Sequence, residues 1–297
     1  MKAVERGFLL LSSHLGDTAR KPLTTAQLRT LARRMQVAER TDADRDLRPE
    51  DMIALGYSRE MAEEIVTLLS GERLLNDYLR RAASCDCKPV TRVSADYPLL
   101  LRKRLGLDSP GCLWVKGDVT LLKQPSVALV GSRNLLDNNR RFAAEVGRQA
   151  ALQGYVLVSG NARGADRTAQ ESCLAAGGQV ISVVADELWK HQERENVLCV
   201  SEDGFAEAFS SQRALSRNRI IHALGLKTFV AQSSLKMGGT WDGTVKNLRG
   251  GWSDVYCFCD GSEAMVLLEQ MGADLIGMDE LASFYDLQKK EDSLFDR

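Results

Sequence analysis

Apolar positions in the first 88 residues recur at helical spacing. Ala26, Leu28, Leu31, Ala32 and Met35 form one stripe behind Thr24-Thr25, a residue type that caps helix N-termini. Met61, Ile65, Leu68 and Leu69 form a second stripe behind Ser58, and a third helix is expected over Glu72–Ala83. Leu55-Gly-Tyr-Ser58 reads as a Gly-containing turn between two helices. Such a helix–turn–helix unit either holds DNA phosphates on its backbone N–H groups or is purely structural. Residues 1–88 are thus expected to form a small all-helical domain, of a sterile-alpha-motif-like or helix-hairpin-helix-like kind.

Beyond residue 126 the pattern changes. Apolar runs at Val127–Val130, Tyr155–Val158, Gln179–Val184, Thr228–Ala231 and Asp254–Cys259 have strand length. Between and after them come helix-like stretches: Asn138–Gln153, Asp166–Ala176, Leu215–Ala223, Thr240–Leu248 and Ser262–Met271. Short apolar strands alternating with helices predict an α/β fold, a Rossmann-like, doubly wound and mostly parallel sheet covered on both faces. This domain is placed at 89–285, with a short polar tail at 286–297. Its first part, 89–126, holds Pro89, Pro98, Pro110 and Pro125 and reads as a connecting region with one strand at Cys112–Lys116. In such sheets a ligand sits outside the carboxyl ends of the strands, where the strand order reverses.

Three expected strand ends run directly into small residues and cations. They are Gly131-Ser132-Arg133, Ser159-Gly160 with Arg163-Gly164 shortly after, and Lys236 with Gly238-Gly239-Thr240. Glycine lets a backbone approach a ligand closely, and the helix N-termini beyond these glycines offer free N–H groups to an anion. Hydroxyls on Ser132, Ser159 and Thr240 and the guanidinium groups of Arg133 and Arg163 add donors suited to phosphate. Arg213, Arg217, Asn218 and Arg219 lie at the start of a further helix, either as part of the same pocket or as a solvated face paired with Glu202, Asp203 or Glu207. Charge alone adds Arg167 to the set.

The chain has 39 Lys+Arg against 40 Asp+Glu, a formal net charge of -1. Any binding of nucleic acid must therefore come from a local patch rather than bulk charge. Seven scattered cysteines read as reduced thiols in a cytoplasmic protein, and no apolar stretch has the length of a signal-peptide core or a membrane span. Cys85-Asp-Cys87 and Cys257-Phe-Cys259 lack the partner set of a zinc site, so no metal is expected, and Cys257 and Cys259 are expected to share one strand face. No G-x-x-x-x-G-K-[ST] loop, G-x-G-x-x-G fingerprint, G-x-S-x-G elbow or H-E-x-x-H pair is present. His191-Gln-Glu193 has no P-C-x-x-C behind it, and His222 reads as a packing residue. Gly238-Gly239-Thr240 with Gly243-Thr244 resembles the phosphate loop of the Lonely-guy-type nucleoside-monophosphate phosphoribohydrolases, but Val245-Lys246-Asn247-Leu248 supplies no carboxylate where that chemistry needs one.

Taken in order, the motifs resemble those of the DNA-processing protein A family (DprA, also called Smf) from about Tyr97 to Ile276. Tyr97-Pro98-Leu99-Leu100-Leu101, Leu113-Trp-Val-Lys-Gly117-Asp118 and Ala128-Leu-Val-Gly131-Ser132-Arg133 resemble its first three motifs. Val158-Ser159-Gly160-Asn-Ala162-Arg163-Gly164-Ala165-Asp166, Ser201-Glu202, Arg217-Asn218-Arg219-Ile220-Ile221 and Gly272-Ala273 come next in the family's order. Gln170 stands where the family usually has His, Ala165 replaces an Ile, the region of Lys190-His191 replaces a Tyr-Pro pair, and Asp260-Gly261 replaces a "PG". A C-terminal winged-helix domain is not expected.

The resemblance implies a non-enzymatic, cytoplasmic binder of single-stranded DNA that hands its cargo to RecA recombinase in DNA recombination and natural transformation. It also implies a homodimer, with no cofactor and no membrane. The phosphate-pocket residues it implies are Ser132, Arg133, Ser159, Gly160, Arg163, Arg217, Asn218 and Arg219. Two other readings use the same pocket, a nucleotide-ligand sensor and the phosphoribohydrolase.

Overall fold

The computed structural model describes residues 1–38, 46–202 and 204–288. Among these residues five helices come first: α1 (Ala3–Ser12), α2 (Thr25–Val37), α3 (Pro49–Ala54), α4 (Arg59–Leu69) and α5 (Glu72–Ala83). The expected caps are made. Thr24 and Gln27 form a reciprocal capping box on α2, and the Ser58 hydroxyl accepts the Met61 N–H at 3.3 Å. Leu31, Met52, Ile65 and Leu68 close one small core. The Leu55–Ser58 turn carries Gly56 at φ +85°, and the Arg34 guanidinium lies 4.1 Å from the centre of the Tyr57 ring, so this turn is already packed from one side.

The N-terminal helices pack directly onto the sheet domain. Leu9, Leu75, Tyr78 and Ala82 of α1 and α5 share a core with Trp114 and Phe205, and the Tyr78 and Trp114 rings meet edge to face at 5.2 Å.

Nine strands are seen among the described residues: β1 (Lys88–Thr91), β2 (Cys112–Lys116), β3 (Ser126–Val130), β4 (Val156–Ser159), β5 (Val180–Val183), β6 (Val197–Ser201), β7 (Lys227–Val230), β8 (Asp254–Phe258) and β9 (Asp274–Ile276). They form one sheet in the order β1-β2-β6-β5-β4-β3-β7-β8-β9. All pairings from β6 to β9 are parallel, and only β1–β2 and β2–β6 are antiparallel. The chain moves outward from β3 through β4, β5 and β6, then returns to place β7 on the other side of β3. The order therefore reverses between β3 and β7.

Period-two alternation builds both cores. Val127 and Leu129 face α7 (Asp137–Leu152) and α8 (Ala165–Ala175), where Phe142, Val146, Ala169 and Cys173 meet them. Ala128 and Val130 face the other layer, built from α6 (Leu99–Leu105), α9 (Ser211–Leu224), α10 (Gly238–Gly250) and α11 (Glu263–Gln270). The sheet is doubly wound and Rossmann-like, as the alternation of runs predicts.

Several details differ from the sequence expectation. The proline-rich stretch 89–126 gives two strands rather than one, because β1 takes its Pro89 at a sheet edge, where a missing N–H is tolerated. Val197–Ser201 and Asp274–Ile276 are additional strands. Helix α9 begins at Ser211, which puts Arg213 inside it. Strand β8 stops at Phe258, so Cys257 is buried while Cys259 lies beyond the strand and is exposed; the two do not share a strand face. Residues 289–297 of the expected polar tail, and Asp203, lie outside the described residues.

His222 is fully buried between α9 and α10, with Nδ1 3.1 Å from the Asn247 amide nitrogen and Nε2 without a partner. Burial disfavours the charged ring and pushes its pKa down to about 3. The folded chain thus holds His222 neutral at pH values where the unfolded chain protonates it. Stability should fall as pH drops below about 6.5, by up to about 1.4 kcal/mol per pH unit from this group, until the folded-state pKa is reached. Urea titrations of wild type and His222→Gln between pH 7 and pH 5 test this. The variant should lose part of the acid slope, and an identical slope would rule the assignment out.

Candidate functional site

A crevice of about 470 Å3 opens at the carboxyl ends of β3 and β7, at the point of strand-order reversal. Its floor and walls bring together Gly131, Ser132, Arg133, Arg217, Asn218 and the Gly238-Gly239-Thr240 start of α10. Residues far apart in sequence thus meet at one mouth, because β3 and β7 are hydrogen-bonded neighbours.

Arg133 is exposed at this mouth and has no ion-pair partner among the described residues. In the same crevice α10 presents its first turn. Gly238 has φ +87°, a conformation that favours glycine, and Gly239 and Thr240 come next with N-terminal N–H groups and the positive end of the helix dipole. The Asn218 side chain donates to the Gly239 carbonyl at 3.0 Å and fixes α10 against α9.

Arg217 has a different task. Its guanidinium is half-buried and donates to the main-chain carbonyls of Gly160 and Val183, at the ends of β4 and β5. A Cβ on Gly160 would overlap that guanidinium, so this glycine is required by the arginine rather than by a ligand. Burial lowers the Arg217 pKa, while neighbouring Asp166 acts to raise it. Asp166 lies buried in the crevice floor, where its carboxylate accepts the Ala162 N–H at 3.1 Å. Burial pushes the Asp166 pKa up, opposed by the charges of Arg217 and Arg133 and by main-chain N–H groups. The acid in the floor is therefore shielded by two cations.

The other expected residues fall outside the crevice lining or are engaged within the protein. Ser159 is fully buried and its hydroxyl accepts from Gln170 at 2.7 Å, so Gln170 ties α8 to β4. Gly164, at φ +87°, packs against the Ser132 carbonyl, leaving no room for a side chain. The Ser132 hydroxyl is engaged locally with Asn134, donating to its carbonyl and accepting its N–H. Arg163 and Arg167 lie on the neighbouring loop and helix start, where Arg163 donates to the side-chain oxygen of Asn134 at 3.2 Å. Lys236 sits at the tip of the turn between Ser234 and Met237, with φ +53°, and is exposed.

Arg219 departs most. It pairs with Glu202 and lines a separate groove, because residues two apart on a helix point about 200° from one another. Arg213 is in turn tied to the Ala185 and Glu207 carbonyls.

Sequence reasoning did not anticipate the apolar part of the wall: Phe209, Leu215 and Met237, all substantially exposed. Phe209 and Met237 lie in loops, where no periodicity marks them. Among the described residues no group of three or more His, Cys, Asp or Glu side chains is placed to hold a metal ion.

Residues 88–246, just over half of the chain, match the family described as DNA recombination-mediator protein A. The DNA processing protein DprA of Streptococcus pneumoniae is 32% identical over 192 residues, covering 60% of this chain and 68% of that protein. DprA of Bacillus subtilis is 30% identical over 156 residues, 49% of this chain and 52% of that protein. The chain thus spans about half the length of the Bacillus relative. In three dimensions the crystal structure of the Streptococcus pneumoniae protein superposes with a TM-score of 0.72 at 24% identity, over 97% of this chain and 100% of that one. DNA processing protein A of Helicobacter pylori, solved for its single-stranded DNA binding mode, gives 0.56 at 22% identity, over 66% of this chain and 94% of that one. Both structures share this fold.

Proposed function

Because this chain belongs to the DNA recombination-mediator protein A family, we propose that it binds single-stranded DNA in the β3/β7 crevice, without turnover, and passes the strand to a RecA-type recombinase. The observation that carries this reading is that Arg133, which has no ion-pair partner among the described residues, and the N-terminal turn of α10 line one crevice at the point of strand reversal. A cation and a helix N-terminus converging on one cavity suit a phosphodiester. Such contacts read the backbone and not the bases, so sequence preference should be low. The exposed Phe209, Leu215 and Met237 beside them give sugars and bases an apolar wall.

The near-neutral chain is consistent with this, since the cations at the mouth face a single floor acid that is itself shielded. By family likeness we take the protein to be a cytoplasmic homodimer. Among the described residues no helix is long and apolar enough to cross a membrane.

A nucleotide-ligand sensor would use the same crevice, and one experiment separates the two. Thermal unfolding is followed with oligo-dT, with mononucleotides and with dinucleotides, because a ligand present at about 100 times its Kd stabilises by about 2.7 kcal/mol. Oligo-dT should raise Tm and AMP should not. A shift with a mononucleotide and none with DNA would overturn the proposal in favour of the sensor, and release of free base from AMP would overturn it in favour of a hydrolase.

A further inference from the structure

The crevice does not end at α9. Leu215 belongs to its wall and also to that of a larger groove, about 870 Å3, between α9, α10 and residues 107–111. That groove shares Thr25, Leu107 and Gly111 with a third hollow, which opens onto Arg29 of α2 and onto Arg92. The three hollows thus adjoin in series from the strand ends to the N-terminal helices.

Charge varies along this series. In the middle, Arg219 is neutralised by Glu202 and Lys246 by Asp242, while Arg249 and Asp108 both line the groove. This stretch carries little net charge, and the half-buried Trp252 lines it together with Leu107. At the far end the balance is positive. Arg92 feels the charges of Arg29 and Arg102, and Arg29 is exposed with no ion-pair partner among the described residues. Helix α2 as a whole contains Arg29, Arg33 and Arg34 and no acidic residue.

We propose that a single strand anchored at Arg133 continues along this track, its bases against the Trp252–Leu107 stretch and further phosphates at Arg249 and Arg29. The N-terminal helical region is then one wall of the nucleic-acid site. A track with cations at both ends and Arg249 beside its aromatic middle matches what a single strand presents, an anionic backbone with stackable bases. The proposal rests on the single-strand reading above and adds to it a prediction about length.

The test compares oligo-dT of about 6 and about 20 nucleotides, lengths that bracket common single-strand site sizes. Fluorescence anisotropy is measured on wild type, on Arg29→Ala/Arg249→Ala, and on Arg194→Ala as a control. Arg194 precedes β6, at the opposite end of the strands from the crevice. Both Arg29 and Arg249 are exposed, so the double variant should fold. It should bind the short oligonucleotide within about twofold of wild type and the long one about tenfold more weakly. Its salt slope for the long strand should be lower by about 1.4, at about 0.7 per lost phosphate contact. The control should match wild type at both lengths. Unchanged affinity of the double variant for the long strand would overturn the track while leaving the crevice reading in place. Failure of wild type to bind either length would overturn both.

Discussion

Arg217→Met should lower the stability of the folded chain by about 3 kcal/mol and reduce Tm by roughly 6 °C or more. The methionine can fill much of the volume of the arginine stem but cannot donate to the Gly160 and Val183 carbonyls that the guanidinium now joins. Those carbonyls end β4 and β5, so their loss loosens the sheet edge from which the crevice is built. Asp166 is left buried without the cation beside it, which raises its pKa further and costs more at neutral pH than at acid pH. Arg217→Lys retains the charge but lacks the planar fork that reaches two carbonyls at once, and should fall between the two. Differential scanning calorimetry at pH 7 and pH 5 measures all three proteins. A Met variant that melts with wild type would show that Arg217 is free to serve a ligand instead.

Arg133→Glu should weaken binding of oligo-dT about 100-fold with little change in Tm. Arg133 is exposed and makes no ion pair among the described residues, so folding depends on it only through its partial shielding of Asp166, to which Arg217 contributes more. For binding, the substitution removes one phosphate contact and places an anion beside Asp166 at the same mouth. A 100-fold loss is about 2.7 kcal/mol, in the range of losing one charge-assisted hydrogen bond and adding a repulsion. Arg133→Ala should lose less, since it removes the contact without adding charge. Equal affinities for wild type and the Glu variant would move the nucleic-acid site elsewhere.

The contrast between Arg133 and Arg217 shows what the sequence does and does not make legible. Arg133 belongs to a strand-end motif of small residues and cations and Arg217 to a cationic helix start, and both reach the same crevice. That one faces solvent while the other is spent on main-chain carbonyls depends on how α9 packs over β4 and β5, which no local pattern encodes. Arg219 is a different case. Helical periodicity alone turns it away from Arg217, and its groove could have been foreseen from the two-residue spacing.

Strands show the same division. Val127–Val130 and Tyr155–Val158 are legible because each apolar run stops at small residues and is succeeded by a helix. Val197–Ser201 escapes notice because no crossover helix precedes it; the link from β5 contains only the short 3-10 turn Leu188–Lys190, which breaks the alternation. Likewise, Ser159 and Gly160 carry the motif of a ligand loop, yet burial assigns them to Gln170 and Arg217. The exposed Phe209 and Met237 come into the site only through the packing of α9 and α10 around the strand ends.

The salt dependence of oligo-dT binding, measured side by side for wild type and Arg133→Glu, tests the central claim most directly. If the crevice holds a phosphate backbone, log affinity for wild type falls linearly with log salt, and the slope for the variant is shallower by about 0.7 or more. A wild-type affinity that does not change with salt, or a variant slope identical to that of wild type, would contradict it.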